Sequence, residues 1–312
     1  MEHYVTLFDS LFLPQGLSLH ASMERHCGEY TLWILCMDDD AFSVLLKLNL
    51  PNIKLLPLDK LETEELKKIK PTRSKGEYCW TLTPFTPRFV FEADKNVSRV
   101  TYLDADIWFR KSPKQIFEEF ETSGMHVMIT DHAYLPEYDF SAETGQYCVQ
   151  FMIFKRNEGD IVRQWWETHC VEWCFAKYED GKFGDQKYLD DWPDRFKDKV
   201  HVLQQQHLLL APWNATKFAY GHSIAYHFHG LRLIRNQQVL LAPSYPLPKQ
   251  LVKHVYKPYV TDFKESISRL KMNGWVAKEQ AKAPGFFQKL ISPIRMVNRN
   301  FWRYLTHHVM EI

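Results

Sequence analysis

Over the first hundred residues, short apolar runs alternate with amphipathic stretches of helical length, and few folds accommodate that order. Tyr4 to Phe8, Thr31 to Met37, Ile53 to Pro57 and Val97 to Leu103 read as strands, with later ones near His126 to Thr130 and Val149 to Phe154. Between them Leu17 to Arg25 and Phe85 to Ala93 read as helices. Gly159 to Tyr178 reads as one long aromatic helix whose Trp165, Trp166 and Trp173 pack into a core. The expected class is α/β, with a mainly parallel sheet flanked by helices.

At 312 residues the chain suits one catalytic domain with a tail. Three prolines within Ala242 to Gln250 remove backbone donors, so the expected division is a catalytic domain over 1–244 and an extension over 245–312. The net charge of +1 conceals a separation between the two. The extension holds 12 Lys and Arg against 4 Asp and Glu, or +8, and the first 244 residues hold 27 against 34, or −7. An acidic body does not suit nucleic-acid binding, whereas a basic tail suits an anionic membrane surface.

Within that tail Ser292 and Pro293 mark a helix start, after which Ile294, Val297 and Phe301 share one side and Arg295, Arg299 and Arg303 another. With Phe286, Phe287 and Trp302, this basic amphipathic helix is expected to dock on anionic lipid or a lipid-linked acceptor, the bland alternative being a helix packed on the catalytic domain. No apolar run reaches the roughly 18 residues of a membrane span, and the N-terminus lacks the features of a secretory signal. The expectation is a cytoplasmic protein, peripheral at the inner face of the membrane. The six scattered cysteines read as reduced thiols, and Cys170, Cys174 and His169 lack the second knuckle of a structural zinc site.

Chemistry concentrates in VTYLDADIWF, where Asp104 and Asp106 follow an apolar strand with Ala105 between them. In extended chain, side chains at i and i+2 share one side, so both carboxylates can meet a hard cation such as Mg²⁺ or Mn²⁺ bridging two phosphates. The pattern is not specific by itself: Asp38 and Asp40 form another pair, which helix capping before Ala41 to Leu48 explains. In AYHFHGLRLI, His227 offers a third ligand and Gly230 close backbone approach to phosphate, or else His227 and His229 are ordinary strand histidines.

Together these segments resemble glycosyltransferase family 8, the retaining GT-A enzymes that include glycogenin and bacterial lipopolysaccharide galactosyltransferases. The resemblance spans roughly Tyr4 to Arg235: Asp104 and Asp106 match the family's Asp-x-Asp, Asp185 and Gln186 its Asp-Gln, and His227 with Gly230 its His-x-x-Gly. It implies a GT-A nucleotide-sugar fold, Mn²⁺ or Mg²⁺ on Asp104, Asp106 and His227, and a UDP-sugar donor. It also implies base and ribose contacts near Thr6, Phe8 and Asp9, and basic contacts from Arg73 and Lys75 near ribose or pyrophosphate. LLAPWN, with Trp213 and Asn214, resembles the stretch after the Asp-Gln motif. Two departures stand out. LRLIRN replaces the family's Lys-Pro-Trp, leaving Arg232 or Arg235 for pyrophosphate, and GQYCVQFMIF replaces its Asn-Ser-Gly, leaving Gln150 near the sugar pocket.

The resemblance implies transfer of a sugar to a saccharide or lipid-linked saccharide acceptor with retention, Asp185 orienting the donor and Gln186 supporting the reacting carbon. A sugar-phosphate nucleotidyltransferase is the enzyme alternative, though only Gly16 stands where such enzymes carry a glycine-rich loop. A non-catalytic membrane-surface or partner-binding module, worked by the tail, is the other.

Overall fold

A computed structural model describes residues 1–234, 238–281 and 309–312. Its strands in chain order are β1 (Glu2–Phe8), β2 (Tyr30–Cys36), β3 (Ile53–Pro57), β4 (Arg99–Leu103), β5 (Ile107–Phe109), β6 (Val127–Asp131), β7 (Tyr147–Lys155), β8 (Val200–Val202), β9 (Leu209–Leu210), β10 (Ala225–His227), β11 (Arg232–Ile234), β12 (Gln238–Leu240) and β13 (Val309–Glu311). The main sheet has the order β3-β2-β1-β4-β7-β6-β8. β3, β2, β1 and β4 run parallel, β7 is antiparallel to β4 and β6, and β8 is parallel to β6. This is the mixed, mainly parallel sheet that the alternating pattern predicts.

Every residue of β2 is buried because helices cover both sheet faces, so the strand reads as a continuous apolar run. The pleat sends Tyr4, Leu32 and Ile34 into one core and Val5, Leu7, Trp33 and Leu35 into the other. Helix α1 (Leu13–His26) packs on the first of these. Gly16 within it faces the Phe8 ring so closely that an added Cβ would lie 2.4 Å from a ring carbon, which only glycine avoids. Asp38 caps α2 (Asp39–Leu48), its carboxylate accepting from Ala41 N at 2.8 Å, as the capping explanation of that Asp pair requires.

One expectation needs correction. The aromatic helix ends early, at Glu172, with Trp173 extended. At that end the Tyr188 hydroxyl donates to His169 O at 3.2 Å and to Trp173 O at 2.8 Å, so contacts with a later segment override aromatic periodicity, and further on Asp180 and Gly181 take positive φ in a tight turn that brings Glu179 against Lys182. Trp166 is fully buried, Trp165 packs against the same core, and Cys170 and Cys174 are buried free thiols.

One hydrophobic core includes residues from both sides of position 244. Tyr256, Tyr259, Phe263, Ile267 and Leu270, from a helical run through Met272, share a core with Leu13, Leu17 and Phe228. The Tyr259 ring stacks on Phe228 with centroids 3.7 Å apart, and Asp262 pairs with Arg25 of α1. At the chain's end β13 pairs with β12. Arg235 and the amphipathic helix expected around Ser292 to Arg303, with Phe286, Phe287 and Trp302, lie outside the described residues. Among those described, no helix is long and apolar enough to cross a membrane.

Candidate active site

β1 and β4 are parallel neighbours, Val5 opposite Tyr102, so Phe8–Asp9 and Asp104 emerge at the same carboxyl edge. In open α/β sheets that edge is where ligands bind. Asp104 to Asp106 do not continue the strand. Ile107 N donates to Asp104 O at 3.1 Å, closing a turn, and this turn brings the two carboxylates together, not the extended geometry expected from their spacing.

The third member arrives by strand pairing. β5 pairs antiparallel with β10, Ile107 opposite His227, and Phe228 N donates to Asp106 O at 2.9 Å. His227 Nε2 therefore lies 3.0 Å from Asp106 Oδ1 and 3.6 Å from Asp104 Oδ2. One ligand atom from each of the three residues falls within 4.8 Å of the others. Tyr102 donates its hydroxyl to Asp104 Oδ1 at 2.9 Å, and Asp104 N is bonded to Gln150 O at 3.1 Å.

Two carboxylates and an imidazole turned edge-on form a donor set that suits Mg²⁺ or Mn²⁺. His227 Nδ1 is 3.0 Å from Gln150 Oε1; donation there leaves Nε2 facing the carboxylates as a ligand atom. Without a cation, burial pushes the Asp106 carboxyl up, but His227 beside it wins and holds the carboxyl well below the usual range. For His227 burial acts downward, and the charge of Asp106 outweighs it, raising the imidazole. Burial raises the Asp104 carboxyl, with His227 opposing. A bound cation would offset the burial cost that raises Asp104 and would take over the stabilisation of Asp106 that His227 supplies without it.

The cluster lines a cavity of about 680 Å³. Of the residues singled out in the sequence, Phe8, Asp9, Lys75, Asp104, Ala105, Asp106, Asp185, Gln186, Trp213, His227, His229 and Arg232 line it. Arg232 lies with its guanidinium 4.9 Å from the Phe12 ring centroid and 3.9 Å from Asp106 Oδ2. Asp185 is buried, and its Oδ2 has no hydrogen-bond partner. Burial, and next the charge of Asp104, pushes its carboxyl up to about 7.

Four expected residues do not line the cavity. Thr6 is fully buried in the sheet, its hydroxyl unpartnered. Arg73 donates to Val171 O at 3.1 Å and stacks on Phe175 at 3.9 Å, because the segment after Trp173 folds back over it. Gln150 sits behind His227, with its Nε2 lacking a partner. Gly230 takes φ +79 in the turn between β10 and β11.

Other lining residues went unassigned in the sequence, among them Trp80, Tyr102, His132, Tyr134, Phe140, Thr144 and Tyr245. Burial, and next His227, lowers His229 to about 4, leaving it uncharged near neutrality. Only Tyr102 had a local signal, since it lies on β4 two positions before Asp104.

No family model matches the sequence. Two proteins of Bacillus subtilis (strain 168) align with it along most of their lengths. The uncharacterized protein YfnF is 30% identical over 255 residues, covering 76% of this chain and 84% of YfnF. The uncharacterized protein YfnD is 26% identical over 300 residues, 91% of this chain and 93% of its own. Among solved structures, the galactosyltransferase LgtC in complex with donor and acceptor sugar analogs superposes with a TM-score of 0.52 at 12% identity, over 84% of this chain and 95% of that one. The bifunctional glycosyltransferase WbbM gives 0.53 at 12% identity, over 86% of this chain and 51% of WbbM. The glycosyltransferase GlyE of Streptococcus pneumoniae TIGR4 gives 0.50 at 15%, over 87% and 62%. The fold is that of the GT-A glycosyltransferases, as the family 8 resemblance implies.

Proposed function

This chain belongs to the family of YfnF, and from its GT-A fold we propose that it is a glycosyltransferase moving a sugar from a UDP-sugar to a saccharide or lipid-linked saccharide acceptor with retention. One observation carries the reading: Asp104, Asp106 and His227 converge in a cavity at the carboxyl edge of the parallel strands. Asp104, Asp106 and His227 would hold Mn²⁺ or Mg²⁺, which when bound supplies Lewis-acid stabilisation of the departing diphosphate.

The chain's own groups do the rest. Arg232 and Lys75 are the cavity-lining Arg and Lys, placed to bind phosphate oxygens by charge-assisted hydrogen bonds. Phe8 and Asp9 line the part of the cavity assigned to the nucleoside. Asp185, with an unpartnered carboxylate oxygen, is suited to accept from a donor-sugar hydroxyl, which would satisfy that oxygen. Gln186 is held by its Nε2 donating to Thr144 O at 2.7 Å.

In the transfer, the acceptor hydroxyl oxygen bonds to the anomeric carbon as the bond to the diphosphate breaks. The electron pair leaves with the diphosphate, which takes the hydroxyl proton from the same face. The +8 extension over 245–312 we assign to an anionic membrane surface.

Calorimetric titration of UDP into the purified protein, with and without Mn²⁺, tests the reading. Binding that requires Mn²⁺ and disappears in Asp106→Ala is the expected result. Absence of UDP binding in both conditions overturns it.

A further inference from the structure

Resting on the transferase reading, a second part of the cavity points to what the acceptor is. Six lining residues, His132, Tyr134, Phe140, Thr144, Trp213 and Tyr245, form one connected surface. The His132 and Tyr134 rings stack with centroids 4.5 Å apart, Trp213 lies edge-on to His132 at 5.1 Å, and Tyr245 is 6.2 Å from Trp213. Phe140 stands edge-on to Tyr134 at 6.5 Å, and Tyr134 Oη is 3.3 Å from Thr144 Oγ1. The surface begins at the carboxylate–histidine cluster, since the Trp213 ring is 5.5 Å from that of His227.

Two properties separate it from the remainder of the cavity. It carries no formal charge: the charged lining residues, Asp9, Lys75, Asp104, Asp106, Asp185 and Arg232, all belong to other segments, and burial drives His132 down to about 3, so its ring is neutral. Its rim is aromatic but accessible, Phe140 being 47% exposed while Tyr134 and Tyr245 are half-buried. What distinguishes Phe140 is its continuity with the Tyr134 ring on the cavity wall, since a contiguous apolar patch at a cavity marks a ligand groove where a single exposed ring would not. Aromatic faces with a few hydroxyls complement a pyranose, which has an apolar C–H face and a rim of hydroxyls. Lys217, the nearby ammonium, is turned to the backbone oxygens of Ala133 and Tyr134 at 3.3 and 3.5 Å and does not line the cavity, so a carboxylate or phosphate seated on the rings would meet no lining cation and would lose its hydration without compensation.

We propose that His132, Tyr134, Phe140, Thr144, Trp213 and Tyr245 form the acceptor subsite, and that it takes an uncharged pyranose as the terminal acceptor residue, discriminating against uronic acids and sugar phosphates. The donor phosphates and the acceptor are then sorted by charge within one cavity, the anionic partner toward Arg232 and Lys75 and the neutral one toward the aromatic surface.

Saturation-transfer NMR on the whole protein with UDP and Mn²⁺ tests this, using methyl β-D-galactopyranoside, methyl β-D-glucopyranoside and methyl β-D-glucuronopyranoside as probes. Ring C–H saturation of at least one neutral glycoside, and of the glucuronide not at all, is expected. Phe140→Ala, a change at a half-exposed side chain, is expected to weaken the neutral glycoside at least about fivefold. Tyr134→Phe, which keeps the ring, is expected to preserve most of the affinity. Equal or stronger glucuronide binding, neutral binding unchanged in Phe140→Ala, or no glycoside binding beside intact UDP binding would each overturn the assignment. Failure of UDP itself to bind would instead sink the transferase reading.

Discussion

His227 Nδ1 lies 3.0 Å from Gln150 Oε1, and this contact joins β10 to β7 directly behind the two carboxylates. Because an amide oxygen only accepts, it selects the imidazole tautomer with the proton on Nδ1 and leaves Nε2 for a cation. Gln150→Leu removes the acceptor at nearly constant volume. It is expected to weaken Mn²⁺ affinity by about tenfold or more, measured by calorimetry or by the Mn²⁺ electron paramagnetic resonance signal. Gln150→Glu keeps an acceptor and should retain affinity near that of the parent. Equal loss in both variants would mean that Gln150 serves packing alone.

Asp185 supplies a pH signature. Its folded carboxyl is raised to about 7, by burial and next by Asp104, above the value of about 4 in an unfolded chain. The folded state therefore binds the proton more tightly, and the stability linked to this group is present at low pH and lost as pH rises to about 7. Asp185→Asn abolishes that loss. In metal-free buffer its stability relative to the parent should grow by more than about 1.4 kcal/mol between about pH 5 and about pH 8, as read from urea denaturation. A difference that stays flat with pH would contradict a buried, proton-holding carboxyl.

Arg232 is the test of phosphate recognition. Arg232→Ala should lower UDP affinity by about tenfold or more while changing uridine affinity little, since the side chain would contribute charge-assisted bonds worth about 1.5–3 kcal/mol to phosphate oxygens. Equal losses for uridine and UDP would place its role in the Phe12 contact instead.

Phe263 tests the continuity of the core across residue 244. It is fully buried among residues that also pack against α1. Phe263→Ala should destabilise the protein by about 3–5 kcal/mol in a single cooperative transition. A small effect, or a separate early transition, would indicate a C-terminal unit that folds apart from the sheet.

The neighbouring side chains explain why that core is shared and how it reaches the cavity. Trp275 donates its indole N–H to Ser10 O at 3.0 Å, and Gln280 Nε2 donates to Leu11 O at 2.6 Å, so residues late in the chain brace the loop that carries Asp9. Nothing local announces such bonds: the prolines at 243, 246 and 248 change the backbone's direction without ending the hydrophobic core.

Strand identity, the α/β class and the capping Asp38 were legible in the residues alone, because each depends on local periodicity or helix-end chemistry; the Asp104 and Asp106 pair showed by its short spacing, and His227 joined it only through the family resemblance. The family resemblance added the GT-A fold. Tertiary structure decided what depends on contacts between distant segments. The β5–β10 register carried His227 to Asp106, and the strand order set Gln150 behind it and not in the cavity. The aromatic helix stopped at Glu172, where Tyr188 meets its last carbonyls, and the chain folding back drew Arg73 against Phe175. The aromatic surface was assembled from residues 132–144, 213 and 245, which have no common periodicity. Local sequence sets which conformations each segment prefers at small energy differences, whereas long-range pairing and burial choose among them through sums over many contacts that no single segment contains.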